Sequence, residues 1–299
     1  MEVLITGGTG FIGYHLTKRL LKDGHNVTIL DNMSTGKNTI DGVELIKGDV
    51  LDFELVDKSI EDKDLVIHLA GILGTSEMME MVIKSANVNI IGTLNILEAC
   101  KKHNAMMIFS SKPNPLDWVN PYTITKLAGE MYCQMYYDVW GVKTIVLTYF
   151  NLYGPNQKSY PVQKYIPTFT EHAFRNEPLP IFGTGEQTVD ALFIEDAVEA
   201  TMRAIKTEGA FGKIIQVGTG VETSVNDVAK LVIKLTNSKS TLKHQPMRAG
   251  EPIMTHLKAD TTALKEILKF EAKTTLEEGL KKTIPYFEER LKKEGKINK

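Results

Sequence analysis

Short apolar runs alternate with amphipathic segments through the first half of the chain. The apolar runs predict strands over 2–6, 26–30, 43–47, 64–69, 105–110 and 143–149. The segments between them have helical periodicity over 11–23, 51–60, 77–102 and 121–140. In the first of these, Leu16 and Leu20 share one face and Lys18 and Lys22 the other. Strands that alternate with helices favour an α/β fold with a doubly wound parallel sheet.

The pattern changes after residue 150, where prolines and glycines divide the chain into shorter elements. Strands are expected over 190–193 and 212–217, the second of them returning to the main sheet. Helices are expected over 195–207, 224–236 and 274–293. The division predicts a first domain over 1–151, to which 189–218 returns. A smaller, interleaved lobe is expected from 152–188 and 219–299.

Composition narrows the class of protein. The 299 residues carry 35 Lys and Arg against 37 Asp and Glu, so neither nucleic acid nor a membrane surface is an expected partner. The first strand begins at residue 2, which leaves no room for a signal peptide, and no apolar run approaches membrane-spanning length; a cytoplasmic protein is expected. Cys100 and Cys133 lie in helical patterns without a pairing framework, and the seven histidines have no ligand spacing, so no metal is expected.

The first strand passes directly into a glycine loop that opens a helix. In this setting Gly7 permits a tight turn, Gly10 lets the backbone approach a pyrophosphate, and Gly13 allows close packing of the helix. The helix N-terminus supplies amide donors and a favourable dipole for the anion. Asp31 ends the second strand, where a carboxylate accepts both ribose hydroxyls and repels a 2′-phosphate, so NAD is favoured over NADP. The alternative is an ordinary βαβ turn without a cofactor.

Three residues form a candidate catalytic group. Tyr122 and Lys126 lie one turn apart at the start of a helix, and a lysine ammonium near a phenol is expected to lower the tyrosine pKa. Such a tyrosine can take a proton from a sugar hydroxyl while a hydride leaves the same carbon. Ser111, at the end of the fifth strand, would orient the reacting oxygen; it is preferred to Ser110, which would end the strand or face the core. Without the glycine loop, the Tyr-x-x-x-Lys spacing would indicate a surface pair.

These motifs, taken in order, resemble the extended short-chain dehydrogenase/reductases. Within them the chain is similar to the NAD-dependent nucleotide-sugar epimerase/dehydratase family, of the UDP-glucose 4-epimerase type. The resemblance rests on these segments: Thr6–Gly13, Asp31, Gly48–Asp49, His68–Gly71, Asn89–Thr93, Ser110–Ser111, Tyr122 with Lys126, Tyr149–Gly154, Pro180–Gln187, Phe193–Asp196 and Arg248–Glu251. It implies a Rossmann-type NAD-binding domain, a nucleotide-sugar-binding lobe and a nucleoside-diphosphate sugar as substrate.

The candidate binding residues follow from the motifs together with this resemblance. For the cofactor they are Gly7, Gly10, Phe11, Ile12, Gly13, Asp31, Asn32, Asp49, Val50, Leu69, Ala70, Gly71, Asn89 and Lys126, and for the substrate Thr75, Ser76, Asn151 and Arg248. Asp49 is expected either to reach the adenine amino group or to cap the next helix. Asn89 either supports the cofactor region or is a helix-surface amide. Arg248 would pair with the diphosphate; the alternative is a solvated surface arginine.

The chain departs from the family pattern in two places. Only ten residues separate Ser111 from Tyr122, and the segment Lys112–Trp118 replaces a longer one, so a wall of the sugar pocket must be rebuilt. Val189 stands where many relatives have an arginine before an aspartate, within a strand expected over 186–190. Lys158 or Lys164 would then replace the missing phosphate contact.

Several reactions share hydride transfer from C4 of the sugar. Relatives that dehydrate carry an Asp-Glu pair where this chain has Lys112 and Pro113, and a decarboxylase would also be expected to have glutamate at the second position. The sequence therefore favours C4 epimerisation by elimination. The alternatives are a C4 dehydrogenase, a 4,6-dehydratase and, from another class, a non-catalytic NAD-binding regulatory protein. The apolar character of the helices over 77–102 and 121–140 predicts a homodimer, unless those side chains are only core.

Overall fold

The computed structural model describes residues 1–113 and 118–297. Its strands are β1 Glu2–Thr6, β2 Asn26–Asp31, β3 Glu44–Lys47, β4 Leu65–His68, β5 Met106–Ser111, β6 Thr144–Tyr149, β7 Leu152–Tyr153, β8 Leu179–Phe182, β9 Thr188–Val189, β10 Leu192–Phe193, β11 Ile214–Val217, β12 Thr223–Ser224 and β13 Leu242–Gln245. Its α-helices are α1 Phe11–Lys22, α2 Phe53–Ile60, α3 Val82–Ala86, α4 Gly92–His103, α5 Pro121–Trp140, α6 Tyr165–Phe174, α7 Ile194–Ile205, α8 Val225–Thr236, α9 Thr262–Glu266 and α10 Leu276–Lys293.

A parallel sheet of seven strands, in the order β11-β6-β5-β4-β1-β2-β3, forms the centre of the molecule. The chain winds outward in both directions from β1 and β4, so a crevice opens at their carboxyl ends, where such sheets bind ligands. The register pairs Thr6 with His68 at this point, and Ser111 with Thr148 further along the same edge. This topology confirms the doubly wound α/β fold.

Both faces of the sheet are covered, as the near-continuous apolar strands require. Within β1, Leu4 belongs to one core cluster while Val3 and Ile5 belong to the other, because successive side chains of a strand point to opposite faces. The second cluster extends through α6, α7, α8 and α10, so the later helices complete the core. Two short parallel strands, β8 and β13, pair with each other outside the main sheet.

The structure corrects two predictions about regular elements. The helix predicted over 77–102 is interrupted: a 3₁₀ turn over Glu77–Glu80 ends at Met81, whose φ of −125° and ψ of 32° are not helical, and a π-helical turn over Asn87–Ile91 joins α3 to α4. The strand expected over 186–190 contains only Thr188 and Val189. Among the described residues, no helix is both long enough and apolar enough to cross a membrane.

Candidate active site

The glycine loop between β1 and α1 leaves no room for side chains. Gly7 has a φ of +71°, and a Cβ there would lie 2.7 Å from the backbone nitrogen of Ala70. A Cβ on Gly13 would lie 2.5 Å from the Cα of Gly8. The N-cap of α1 is Gly10, which has no side chain to accept from the first-turn amides of Phe11, Ile12 and Gly13. These amides and the bare loop suit the pyrophosphate of a dinucleotide.

Asp31 lies beside this loop at the end of β2 and is 9% exposed. One carboxylate oxygen accepts hydrogen bonds from the Thr9 backbone N–H (3.0 Å) and the Thr9 hydroxyl (2.7 Å), and the other accepts from the Met33 N–H (2.7 Å). The same carboxylate therefore fixes the glycine loop against β2. A side chain so held is preorganised to meet the hydroxyls of a ribose.

Asn32 and Asp49 meet at the neighbouring strand ends. The Asn32 amide donates to one Asp49 carboxylate oxygen at 2.9 Å, and the other accepts from the Leu51 N–H at 3.1 Å. The alternative role predicted for Asp49, the cap of α2, is wrong, because the N-cap is Asp52, which accepts from the Leu55 N–H at 3.1 Å. Turn geometry places the cap three residues later than the sequence pattern indicated.

Asn89 holds the loop that follows β4, which includes Leu69, Ala70 and Gly71. Its side chain accepts from the Ile72 N–H (2.7 Å) and donates to the Ile72 carbonyl (2.9 Å) and to the Thr125 hydroxyl (3.0 Å). Asn89 is 1% exposed, so the alternative of a helix-surface amide is wrong. A Cβ on Gly71 would lie 3.0 Å from the Asn89 Oδ1 and 3.8 Å from the Lys126 Nζ, so this loop lies against the catalytic helix.

His68, quoted in the motif but given no role, links the centre of the sheet to α4. The Thr93 hydroxyl donates to the Asn89 carbonyl (2.7 Å), so it accepts from the His68 Nε2–H (3.1 Å). The His68 Nδ1 then accepts from the Thr6 hydroxyl at 2.7 Å. Burial lowers the pKa of His68 to about 3, which keeps the ring neutral. This network braces the crevice from below.

The three candidate catalytic residues come from β5 and the first turns of α5. Asn120 caps this helix by accepting from the Thr123 N–H at 2.9 Å, and Pro121 occupies its first turn. Tyr122 and Lys126 follow one turn apart. Ser111, the last residue of β5, is 5% exposed. The carboxyl edge of the sheet thus carries both the glycine loop and this group.

The electrostatics of the group differ from the expectation. The Lys126 ammonium donates to the Ser110 carbonyl at 2.8 Å and lies 4.7 Å from the centre of the Phe109 ring, and burial lowers its pKa to about 8. Burial also raises the pKa of Tyr122 to about 12. The predicted lowering of the Tyr122 pKa by Lys126 is therefore wrong for this structure, because desolvation of the phenolate dominates.

Two residues that sequence analysis did not assign to the site lie beside Tyr122. The Lys112 ammonium is 5.4 Å from the centre of the Tyr122 ring and 5.1 Å from that of Trp118. Burial lowers the pKa of Lys112 to about 7. Residues 114–117, between Lys112 and Trp118, lie outside the described part of the chain. The signal available in the sequence was the position of Lys112 directly after Ser111.

Arg248 lies in a charged cluster on the substrate side rather than in solvent. Its guanidinium donates to Glu77 (3.4 Å) and to Glu251, and its ring-facing carbon is 5.1 Å from the centre of the Phe182 ring. The Thr75 hydroxyl donates to the same Glu251 oxygen at 2.5 Å. The Arg248 Nε is buried without a hydrogen-bond partner. The alternative of a solvated surface arginine is wrong, and a donor is left for a ligand.

The remaining candidates divide between the two sides of the crevice. Lys164 is buried near Glu77 and Arg248, and burial lowers its pKa, whereas Lys158 donates to the Thr35 carbonyl (2.6 Å) in the loop after β2. Of the two proposed replacements for the missing arginine at Val189, Lys164 therefore has the required position. Three further positions are these: the Asn151 Oδ1 is buried without a partner, Ser76 precedes the 3₁₀ turn, and Val50 packs against Gly92.

Comparisons with known proteins agree with this geometry. Residues 3–218 match the model of the NAD dependent epimerase/dehydratase family. The chain is 35% identical to the UDP-N-acetyl-alpha-D-glucosaminuronate decarboxylase of Bacillus cytotoxicus (96% of this chain and 97% of the relative covered). It is 29% identical to the UDP-glucose 4-epimerase of Mycolicibacterium smegmatis (96% and 98% covered).

The fold comparison gives the same result. The crystal structure of UDP-glucose 4-epimerase with UDP-glucose from Thermotoga maritima matches with a TM-score of 0.92 at 32% identity, covering 97% of this chain and all of the other. The glycine loop and Asp31 fit the cofactor that the family name specifies. The chain is an enzyme of the NAD dependent epimerase/dehydratase family, and its cofactor is NAD.

Proposed function

We propose that this enzyme epimerises a nucleoside-diphosphate sugar at C4. The observation that carries the proposal is the meeting of Tyr122, Lys126 and Ser111 with the glycine loop at one edge of the sheet. A base, an orienting hydroxyl and a dinucleotide cradle on one crevice suit oxidation of an alcohol carbon. No further acid is needed when the ketone is reduced again in place.

The residues have separate roles in the proposed reaction. Ser111 orients the C4 hydroxyl, and Tyr122 removes its proton. Bound NAD accepts the C4 hydride and later returns it to the opposite face of the turned sugar. Tyr122 then gives the proton back to the C4 oxygen, so one residue acts as base and acid. Lys126 holds positive charge beside the phenol and stabilises its anionic form.

The substrate's diphosphate is assigned to the cations on the other side of the crevice. Arg248 has a buried Nε donor, and Lys164 lies near it. A guanidinium and an ammonium together neutralise a diphosphate, to which the first donates in a planar fork. Thr75, Ser76 and Asn151 lie around this region and are proposed to contact the sugar phosphate or the hexose.

Decarboxylation is the second candidate reaction. The decarboxylase of Bacillus cytotoxicus, at 35% identity over nearly the whole chain, favours it. Against it stands Pro113, where a glutamate would be expected. Both reactions begin with the same C4 oxidation by Tyr122, so they differ only in whether the ketone keeps its C6 carbon.

The test is a product analysis with a panel of UDP-, GDP-, CDP- and dTDP-sugars without added NAD. A product of unchanged mass and inverted C4 proton coupling in NMR, absent with Tyr122→Phe, is the expected result. Loss of carbon dioxide would replace epimerisation by decarboxylation. Loss of water, or a ketone that accumulates only with added NAD, would contradict both.

We also propose that the enzyme is a homodimer paired through α5 and its neighbours. On α5, Ile124, Met131 and Met135 are 54%, 63% and 37% exposed at spacings that share one helix face, and Ile83 on α3 is 75% exposed. Met131→Glu should convert the dimer to a monomer in light scattering, whereas the exposed Val221→Glu should not. A monomeric wild type would contradict the proposal.

A further inference from the structure

A buried cation lies next to the catalytic tyrosine without a use in the proposed reaction. Lys112 extends from the end of β5 between the rings of Trp118 and Tyr122, and its ammonium donates to the Pro113 carbonyl at 2.5 Å. Among residues 1–113 and 118–297, no carboxylate lies within ion-pair distance of it. An ammonium has three donors, so capacity for a ligand remains.

Trp118 adds a second donor at the same place. Its indole N–H is buried and has no hydrogen-bond partner. The ring packs against Phe150, Leu257 and Ala259, so the packing of the chain holds its position. A buried N–H without a partner costs free energy that a bound acceptor would recover.

The electrostatic surroundings of Lys112 favour an anion. Lys126 and Lys164 act with burial to lower the pKa of Lys112, and only Glu130 opposes them. Desolvation of a cation is offset when an anion binds beside it. A neutral hydroxymethyl group would accept a hydrogen bond but would leave the charge uncompensated.

We propose that Lys112 and Trp118 bind the C6 carboxylate of the sugar, so that the substrate is a nucleotide uronic acid. This inference rests on the proposed function, because Tyr122 acts at C4 and C6 is attached to C5, the neighbour of C4. A carboxylate offers two oxygens to two donors, the ammonium and the indole N–H. The short segment between Ser111 and Tyr122 then carries the specificity of the sugar pocket.

Steady-state kinetics with matched pairs of substrates test the assignment. The pairs are UDP-glucuronic acid against UDP-glucose, and UDP-N-acetylglucosaminuronic acid against UDP-N-acetylglucosamine. The wild type should prefer the acid of each pair. Lys112→Met, which keeps the length of the side chain, should lower kcat/KM for the acid about 10- to 100-fold through KM and leave the neutral sugar unchanged. Lys112→Arg should restore part of the preference, and Trp118→Phe, which keeps a ring, should lose a smaller part.

Binding separates this inference from the proposed reaction. NAD-loaded Tyr122→Phe protein, studied by calorimetry, should bind UDP-glucuronic acid more tightly than UDP-glucose, and adding Lys112→Met should remove the difference. Equal affinities, or a Lys112→Met effect of the same size on acid and neutral sugars, would overturn the inference while leaving C4 chemistry intact. Preference for the acid without any C4 chemistry would instead contradict the proposed function.

Discussion

The cofactor side and the substrate side of the crevice are built in different ways. On the cofactor side, one strand, one turn and one helix, joined within residues 2–22, supply the cradle, and backbone atoms make its main contacts. On the substrate side, side chains distant in sequence meet: Arg248 pairs with Glu77, 171 positions away, and Thr75 with Glu251, 176 positions away.

This difference separates what is general from what is particular to this enzyme. A backbone cradle depends on the absence of side chains and is written in a short glycine pattern. A side-chain cluster depends on the whole fold, and each substitution in it changes which ligand is recognised. We therefore infer that the first side identifies the cofactor and the second selects the sugar.

The largest effect is expected where the two sides meet, at Tyr122. Tyr122→Phe removes the base and should lower kcat by about 10²- to 10⁴-fold. Since the ring remains and the glycine loop is untouched, NAD affinity should be unchanged. Stopped assays of product together with NAD titration by fluorescence measure both quantities. Activity within a few-fold of wild type would mean that another group acts as the base.

The substrate side is tested alone by Arg248→Gln. Loss of a charge-assisted contact to the diphosphate should raise KM about 10- to 100-fold, with NAD binding unaffected. Arg203→Gln is the matched control, because Arg203 pairs with Glu199 on the outside of α7. If the two variants had the same KM, Arg248 would not contact the substrate.

The cofactor side is tested alone by Gly13→Ala. The added Cβ would lie 2.5 Å from the Gly8 Cα, so the loop must move, at a cost of about 1–3 kcal/mol of folding free energy and a loss of NAD affinity. Gly209→Ala is the control, since nothing lies within 4 Å of a Cβ there. Denaturant unfolding with and without NAD gives both terms. Equal behaviour of the two variants would contradict the close packing.

The smallest effect is expected from the buried histidine below the crevice. The folded pKa of His68, about 3, is below the unfolded value near 6.5. The unfolded chain therefore binds the proton first, and stability falls as the pH drops below 6.5 toward 3. Between pH 7 and 5.5 the loss should be about 1.3 kcal/mol. His68→Gln should have a flatter profile in denaturant unfolding over this range; identical slopes would show that His68 is charged when folded.

Local signals made much of the first half predictable from sequence. The apolar run of β1 and the glycines gave the cradle, and Asn120 with Pro121 marked the start of α5. Helix α6 was not predicted, because Pro167 was interpreted as a break. It occupies the first turn of α6, where a missing N–H removes no intrahelical hydrogen bond.

The substrate side was less predictable because its contacts cross the fold. The break at Met81 separates Glu77, which accepts from the Gln163 N–H and from Arg248, from the helix that follows. No periodicity reports such contacts. The closeness of Lys112 to Trp118 and Tyr122, and the effect of burial on the Tyr122 pKa, likewise depend on packing.

The most direct test of the account follows the hydrogen at C4. The enzyme as purified is given a nucleotide sugar deuterated at C4, with no added NAD, and the product is analysed by NMR and mass spectrometry. The account predicts inverted stereochemistry at C4 with the deuterium still on that carbon, because the same hydride returns. An inverted product that has lost the deuterium, or unchanged substrate with every sugar of the panel, would contradict it.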